Sequence, residues 1–108
     1  MAFDYRLKKE KDFKLVFNKG KRLFCSDFTL IYFNSACLKA GFAVSKKHGK
    51  SVKRNRIKRL LRESFRSFTP RFRENFFFVF IPKVKDEYTL KSFKESMTYL
   101  FKKGGFID

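Results

Sequence analysis

The residues most able to do chemistry are crowded into one short stretch. Between Lys46 and Arg66 stand ten basic residues (Lys46, Lys47, Lys50, Lys53, Arg54, Arg56, Lys58, Arg59, Arg62 and Arg66) against a single acid, Glu63. Each phosphate that a Lys or Arg neutralises releases condensed counterions, so such a stretch suits a polyanion and predicts tight, salt-dependent attachment. The share of Arg matters by type, because its planar fork meets phosphate bidentately and stacks on bases, which the point charge of Lys does not do. Asn55, set between Arg54 and Arg56, adds an amide able to read a base edge or a 2′-hydroxyl. An ordinary solvated helix face mixes charges of both signs, and this one does not.

Other chemistries lack their parts. Gly49-Lys50-Ser51 looks like the tail of a phosphate-binding loop, but Val44 stands where the leading glycine belongs. His48 is the sole histidine and has no carboxylate pair, Ser or Cys arranged to work with it, so it is expected on the surface or in a loop. Cys25 and Cys37 form no CxxC pair and lack partners for zinc. Two free thiols in a reducing compartment are expected, with a disulfide left open. The ten carboxylates are scattered and mostly beside Lys or Arg, so no nuclease metal cluster is visible.

The elements that must position the basic stretch follow from periodicity. Ile57, Leu60, Leu61, Ser64, Phe65 and Phe68 recur at helical spacing and form a stripe of roughly 140°, so one helix packs on a core and shows cations outward. Lys58, Arg62 and Arg66 follow at i+4 on its flank, where each like-charge pair costs about 0.2–0.5 kcal/mol, so they do not serve helix stability. Phe13, Val16 and Phe17 predict a short helix over Asp12 to Lys19, stopped at Gly20. Lys21 to Phe24, Phe28 to Phe33 and Leu38 to Ser45 predict three consecutive antiparallel strands. Asn75 to Ile81 is a continuous apolar run closed by Pro82, which fits a strand inside the sheet, buried on both faces. A last helix is expected from the N-cap Thr89 through Leu90, Phe93, Met97, Leu100 and Phe101 to Gly104 and Gly105.

Composition bounds the rest. The 108 residues fit one domain spanning 1–108, and 44% apolar with 19% aromatic residues is too much greasy surface for a disordered basic tail. A net charge of +17 calls for an anionic partner: nucleic acid, then an anionic membrane surface, then an acidic protein. With 17 Phe and 4 Tyr offering surfaces for unpaired bases, RNA is favoured over duplex DNA. The longest wholly apolar run, Phe76 to Ile81, falls far below the ~20 residues that span a bilayer, and Met1 to Lys11 carries no apolar secretory run. A cytoplasmic protein without a membrane partner is expected.

These residues also match a known family. Gly41-Phe42-Ala43-Val44-Ser45-Lys46-Lys47, Gly49, Val52, then Arg54-Asn55-Arg56-Ile57-Lys58-Arg59-Leu60-Leu61-Arg62-Glu63 and Phe65 closely resemble the signature of the bacterial ribonuclease P protein subunit. Asp12-Phe13-Lys14-Leu15-Val16-Phe17 with Gly20 resembles that family's first helix and Thr89 to Lys102 its last, so the resemblance covers nearly the whole chain. It implies an α+β domain in the order α-β-β-β-α-β-α. The four-stranded mixed sheet would carry a left-handed β-α-β crossover, against the usual right-handed rule.

It also implies a small partner for a catalytic RNA, whose complex removes the 5′ leader of precursor tRNA using Mg2+ held mainly on that RNA, with no catalytic protein side chain. Contacts to the RNA subunit then fall on Lys53, Arg54, Asn55, Arg56, Lys58, Arg59, Arg62 and Arg66. A cleft for the single-stranded leader falls on Phe13, Phe17, Ile31, Lys46 and Lys47, with His48 bordering it, and Ile31 stands where some relatives are expected to carry an aromatic. Two other readings stay open on the residues alone: a structural RNA-binding protein without a processing role, and an autonomous nuclease.

Overall fold

The computed structural model describes residues 5–108. In chain order these form α1 (Glu10–Lys19), β1 (Lys21–Phe24), β2 (Phe28–Asn34), β3 (Lys39–Phe42), a 3₁₀ turn (Lys46–His48), α2 (Ser51–Arg66), a second 3₁₀ turn (Thr69–Arg71), β4 (Phe76–Pro82) and α3 (Leu90–Lys103). The three predicted helices stand within a few residues of their expected places, and the Thr89 side chain accepts a hydrogen bond from the Ser92 N–H, capping α3.

The sheet order is β1-β2-β4-β3, which corrects the expectation of three consecutive antiparallel strands. β1 and β2 do form an antiparallel pair, but β4 lies between β2 and β3, antiparallel to the first and parallel to the second. The physical reason lies in β4 itself. Five of its seven residues are aromatic or β-branched and fully within the core, so the strand needs neighbours on both edges as well as layers on both faces. α2 is therefore the crossover between the parallel strands β3 and β4. The outer edge of β3 is covered in turn: the Ala40 N–H donates to the Tyr5 carbonyl at 2.7 Å and the Leu7 N–H to the Ala40 carbonyl at 2.9 Å.

Strand alternation sorts the phenylalanines of β4. Phe76, Phe78 and Phe80 join Phe28 and Leu30 under α2 and α3, meeting Ile57, Leu61 and Phe65 from one helix and Phe93, Met97, Leu100 and Phe101 from the other. Phe77 and Val79 turn to the opposite face, where they pack with Ile31, Leu7 and Val16 of α1. Phe78 lies 5.6 Å from Phe101 and 5.9 Å from Phe65, centroid to centroid, at the middle of an aromatic cluster.

One buried charge locks the far end of the sheet. Asp27, in the β1–β2 turn, is 3% exposed and accepts hydrogen bonds at 2.6 Å from Ser92 Oγ and Ser96 Oγ of α3, besides an ion pair with Lys85. Burial by itself would raise its pKa. The hydrogen bonds from Lys85, Ser92 and Ser96 and the Lys85 charge outweigh that, so the carboxyl titrates below its ordinary value.

Candidate nucleic-acid interface

α2 carries its polar load on a helix that is apolar only where it must be. Ile57, Leu61, Ser64 and Phe65 are buried, and the hydroxyl of Ser64 is satisfied by donating to the Leu60 carbonyl at 2.8 Å. Lys53, Asn55, Arg56, Arg59 and Arg66 are exposed, while Arg54, Lys58 and Arg62 are half-buried along the i+4 flank. The Arg54 Nε donates to the Gly49 carbonyl at 3.2 Å, which steadies that side chain at the helix entry. Arg62 lies down on the surface with its Nε enclosed and without a hydrogen-bond partner. Among the described residues no lysine or arginine of α2 is ion-paired, so no direct contact neutralises the positive face.

The entry to α2 is built for a sharp turn. Gly49 has φ +112°, a conformation that side chains other than glycine's rarely adopt. Lys46 and Lys47 project from the preceding turn into solvent, and the helix starts with no acid in its first turn and no side-chain cap. Of the two places expected for His48, surface or loop, it takes the turn but not the surface: it is 5% exposed. Its Nδ1 lies 3.2 Å from the Ser45 carbonyl and its Nε2 2.9 Å from the Pro82 carbonyl. It thus ties the basic turn to the end of β4, a contact 34 residues away that no local pattern reveals.

A second surface lies on the α1 face of the sheet. Phe13 is half-buried and sits on Gly41 of β3, so closely that a Cβ at Gly41 would stand 2.5 Å from the ring. Phe17, one turn later, is 37% exposed. Ile31 is completely buried against Val16 and Val79, so it lies beneath this surface and presents none of its own; the expectation that it lines a leader cleft is corrected accordingly. The register Arg22–Ile31–Val79–Gly41 places the exposed Arg22 at the edge of the same face. Phe33–Phe77–Lys39 forms the adjacent row on that face. Arg22 and Lys39 escaped the sequence reading, since only strand pairing brings them to this face.

Among the described residues no group of three or more His, Cys, Asp or Glu gathers where a metal ion could bind, and Cys25 and Cys37 are free thiols. No helix among them is long and apolar enough to cross a membrane.

A mixed four-stranded sheet, with a cationic crossover helix on one face and a short aromatic helix on the other, defines a small basic α+β protein with two polar-rimmed surfaces. The sequence profile of the Ribonuclease P family matches residues 1–105, and the chain belongs to that family. It is 42% identical over 102 residues to the ribonuclease P protein component of Caldanaerobacter subterraneus subsp. tengcongensis, covering 91% of this chain and 87% of that one. It is 35% identical over 113 residues to the component from Clostridium novyi, with both chains covered in full. Among solved structures it is similar to the Staphylococcus aureus RNase P protein (TM-score 0.84, 28% identity, 98% of this chain and 100% of that one). The Thermotoga maritima RNase P protein is similar too (TM-score 0.81, 30% identity, 91% and 96%).

Proposed function

We propose that this chain is the protein partner of a catalytic ribonuclease P RNA in the cytoplasm and assists removal of the 5′ leader from precursor tRNA. The observation that carries the reading is the unpaired cationic face of α2, joined to family membership over nearly the whole chain. Arg54, Asn55, Arg56, Lys58, Arg59 and Arg62, flanked by Lys53 and Arg66, attach the RNA subunit through its phosphates. The cleft under α1 takes the single-stranded leader: Phe13 and Phe17 supply stacking faces, and Lys46 and Lys47 meet leader phosphates. Arg22 and Lys39 add charge at the rim.

In this division of labour the RNA holds the Mg2+ that supplies the hydrolytic chemistry. The described residues form no magnesium cage of their own, so no step is assigned to a metal bound by this chain. The protein's share is positional and electrostatic. It grips the leader, which favours precursor over mature tRNA, and it screens repulsion between two RNAs so that their metal sites fill at lower Mg2+ concentration.

Equilibrium binding of the reconstituted complex to a precursor tRNA and to the same tRNA without its leader tests this. Tighter binding of the precursor is expected. Equal affinity would overturn the leader-cleft half of the reading.

A further inference from the structure

The two flanks of α2 do not face the same surroundings. On one flank Arg54, Lys58 and Arg62 follow each other at i+4. On the other, Lys53, Arg56 and Leu60, with Ile57, share a cavity of about 100 Å³ with Asp86, Glu87 and Tyr88 from the β4–α3 connection. A space this small keeps its walls within a Debye length of one another, about 8–10 Å at physiological salt. No N···O contact within 4 Å joins the acids to Lys53 or Arg56, so they lower the local positive potential without occupying either side chain.

The acids are held there by a pinned turn. The Lys83 N–H donates to the Asp27 carbonyl at 2.9 Å, and the Tyr88 hydroxyl donates to the Lys83 carbonyl at 2.6 Å while accepting from the Lys85 N–H at 2.9 Å. Lys85 pairs with buried Asp27, and the Tyr88 ring stacks on Phe93 at 5.8 Å. In a chain carrying +17, two adjacent acids fixed beside a cationic helix act on whatever anion that helix meets.

We propose that the Asp86–Glu87 turn is a specificity element: it weakens phosphate contacts at the Lys53/Arg56 flank of α2, so that the Arg54/Lys58/Arg62 flank carries the larger share of RNA attachment. The inference rests on the reading of α2 as the RNA-binding face and adds to it a direction across the helix. Generic polyanions, which would use every cation within reach, are held more weakly than an RNA shaped to one flank.

A coupling experiment tests it on the full chain, with melting curves to confirm that each variant folds. Binding of poly(U) and of the organism's own ribonuclease P RNA is measured across a salt series for the wild type, Asp86→Asn/Glu87→Gln, Arg56→Ala, Arg54→Ala, and the first combined with each Arg variant. Removal of the acids should tighten poly(U) at least about threefold and steepen its salt slope by up to ~1.4–1.8, two phosphate contacts' worth, while the specific RNA changes less. For poly(U), Arg56→Ala should then lower the slope by ~0.7–0.9 without the acids and by about half that or less with them, whereas Arg54→Ala should cost ~0.7–0.9 in both backgrounds. The proposal is overturned by a full loss from Arg56→Ala in the presence of the acids, by unchanged poly(U) binding without them, or by weakened RNA binding without them. If Arg54→Ala also leaves both RNAs' slopes untouched, it is the RNA-binding reading of α2 that fails.

Discussion

The cationic face of α2 and the proposed cleft under α1 are the two surfaces assigned to RNA in the proposal, and they are built on opposite principles. The α2 face is one helix: its charges are neighbours in sequence, their spacing is set by 3.6 residues per turn, and its apolar stripe alone anchors it on the sheet. The cleft has no such unity. Its walls come from α1 and its floor from β1, β2, β4 and β3, and the seat of Phe13 is a glycine 28 positions later in the chain. A site carried by a single element survives small shifts of its neighbours, whereas a site assembled from five elements depends on the packing between them. Damage to one should therefore leave the other largely intact, and damage to the cleft should be inseparable from damage to the core.

The largest effect expected of any surface change comes from α2. Replacing Arg54, Arg59 and Arg62 together with Ala should remove three phosphate contacts and lower the salt slope of RNA-subunit binding by ~2–2.7, with unfolding free energy changed by no more than about 1 kcal/mol. Denaturant melts beside filter binding separate the two quantities.

Gly41→Val should do the reverse. Its side chain would displace the Phe13 ring, costing about 1–3 kcal/mol of stability by overpacking and abolishing discrimination between precursor and leaderless tRNA, while RNA-subunit affinity holds. Phe17→Ala sharpens the contrast, because the ring is 37% exposed. Stability should move by less than about 1 kcal/mol, while leader binding weakens by about 1–3 kcal/mol if a base stacks there, as competition binding would register.

The smallest effect on RNA binding is expected away from both surfaces, at the clamp on α3. Asp27 titrates below its unfolded value, so the stability it contributes is complete above the ordinary carboxylate pKa near 4 and disappears as pH falls through the lower folded value. Asp27→Asn should remove that acid-side dependence and cost about 1–3 kcal/mol at neutral pH, read from unfolding at a series of pH values.

The same contrast explains what could be read from the sequence. The α2 helix, its apolar stripe and its charge were legible because a helix displays its face within a window of a few turns, and α3 was legible for the same reason down to its Thr89 cap. β4 was legible as an interior strand because Phe76–Ile81 leaves no polar side to face water. The sheet order was not, since nothing in β2 or β3 says that β4 will enter between them.

His48, Asp27 and Ile31 were misplaced or passed over for one reason: the partners that bury them come from distant segments, such as Pro82 for His48 and Ser96 for Asp27. Asp86 and Glu87 stood unremarked among the scattered carboxylates, and only the pinned turn sets them beside Arg56. Arg22 and Lys39 reached the edge of the α1 face through strand register alone.

The most direct test of the account is cleavage of a precursor tRNA by purified components. The nucleotide-free protein and the organism's ribonuclease P RNA are assayed separately and together over a Mg2+ series. The protein alone should cut nothing at any Mg2+ concentration, and its addition to the RNA should lower both the KM for precursor and the Mg2+ needed for half-maximal rate. Site-specific 5′ cleavage by the protein without RNA would contradict the assignment of the reactive centre to the RNA, and so the account itself.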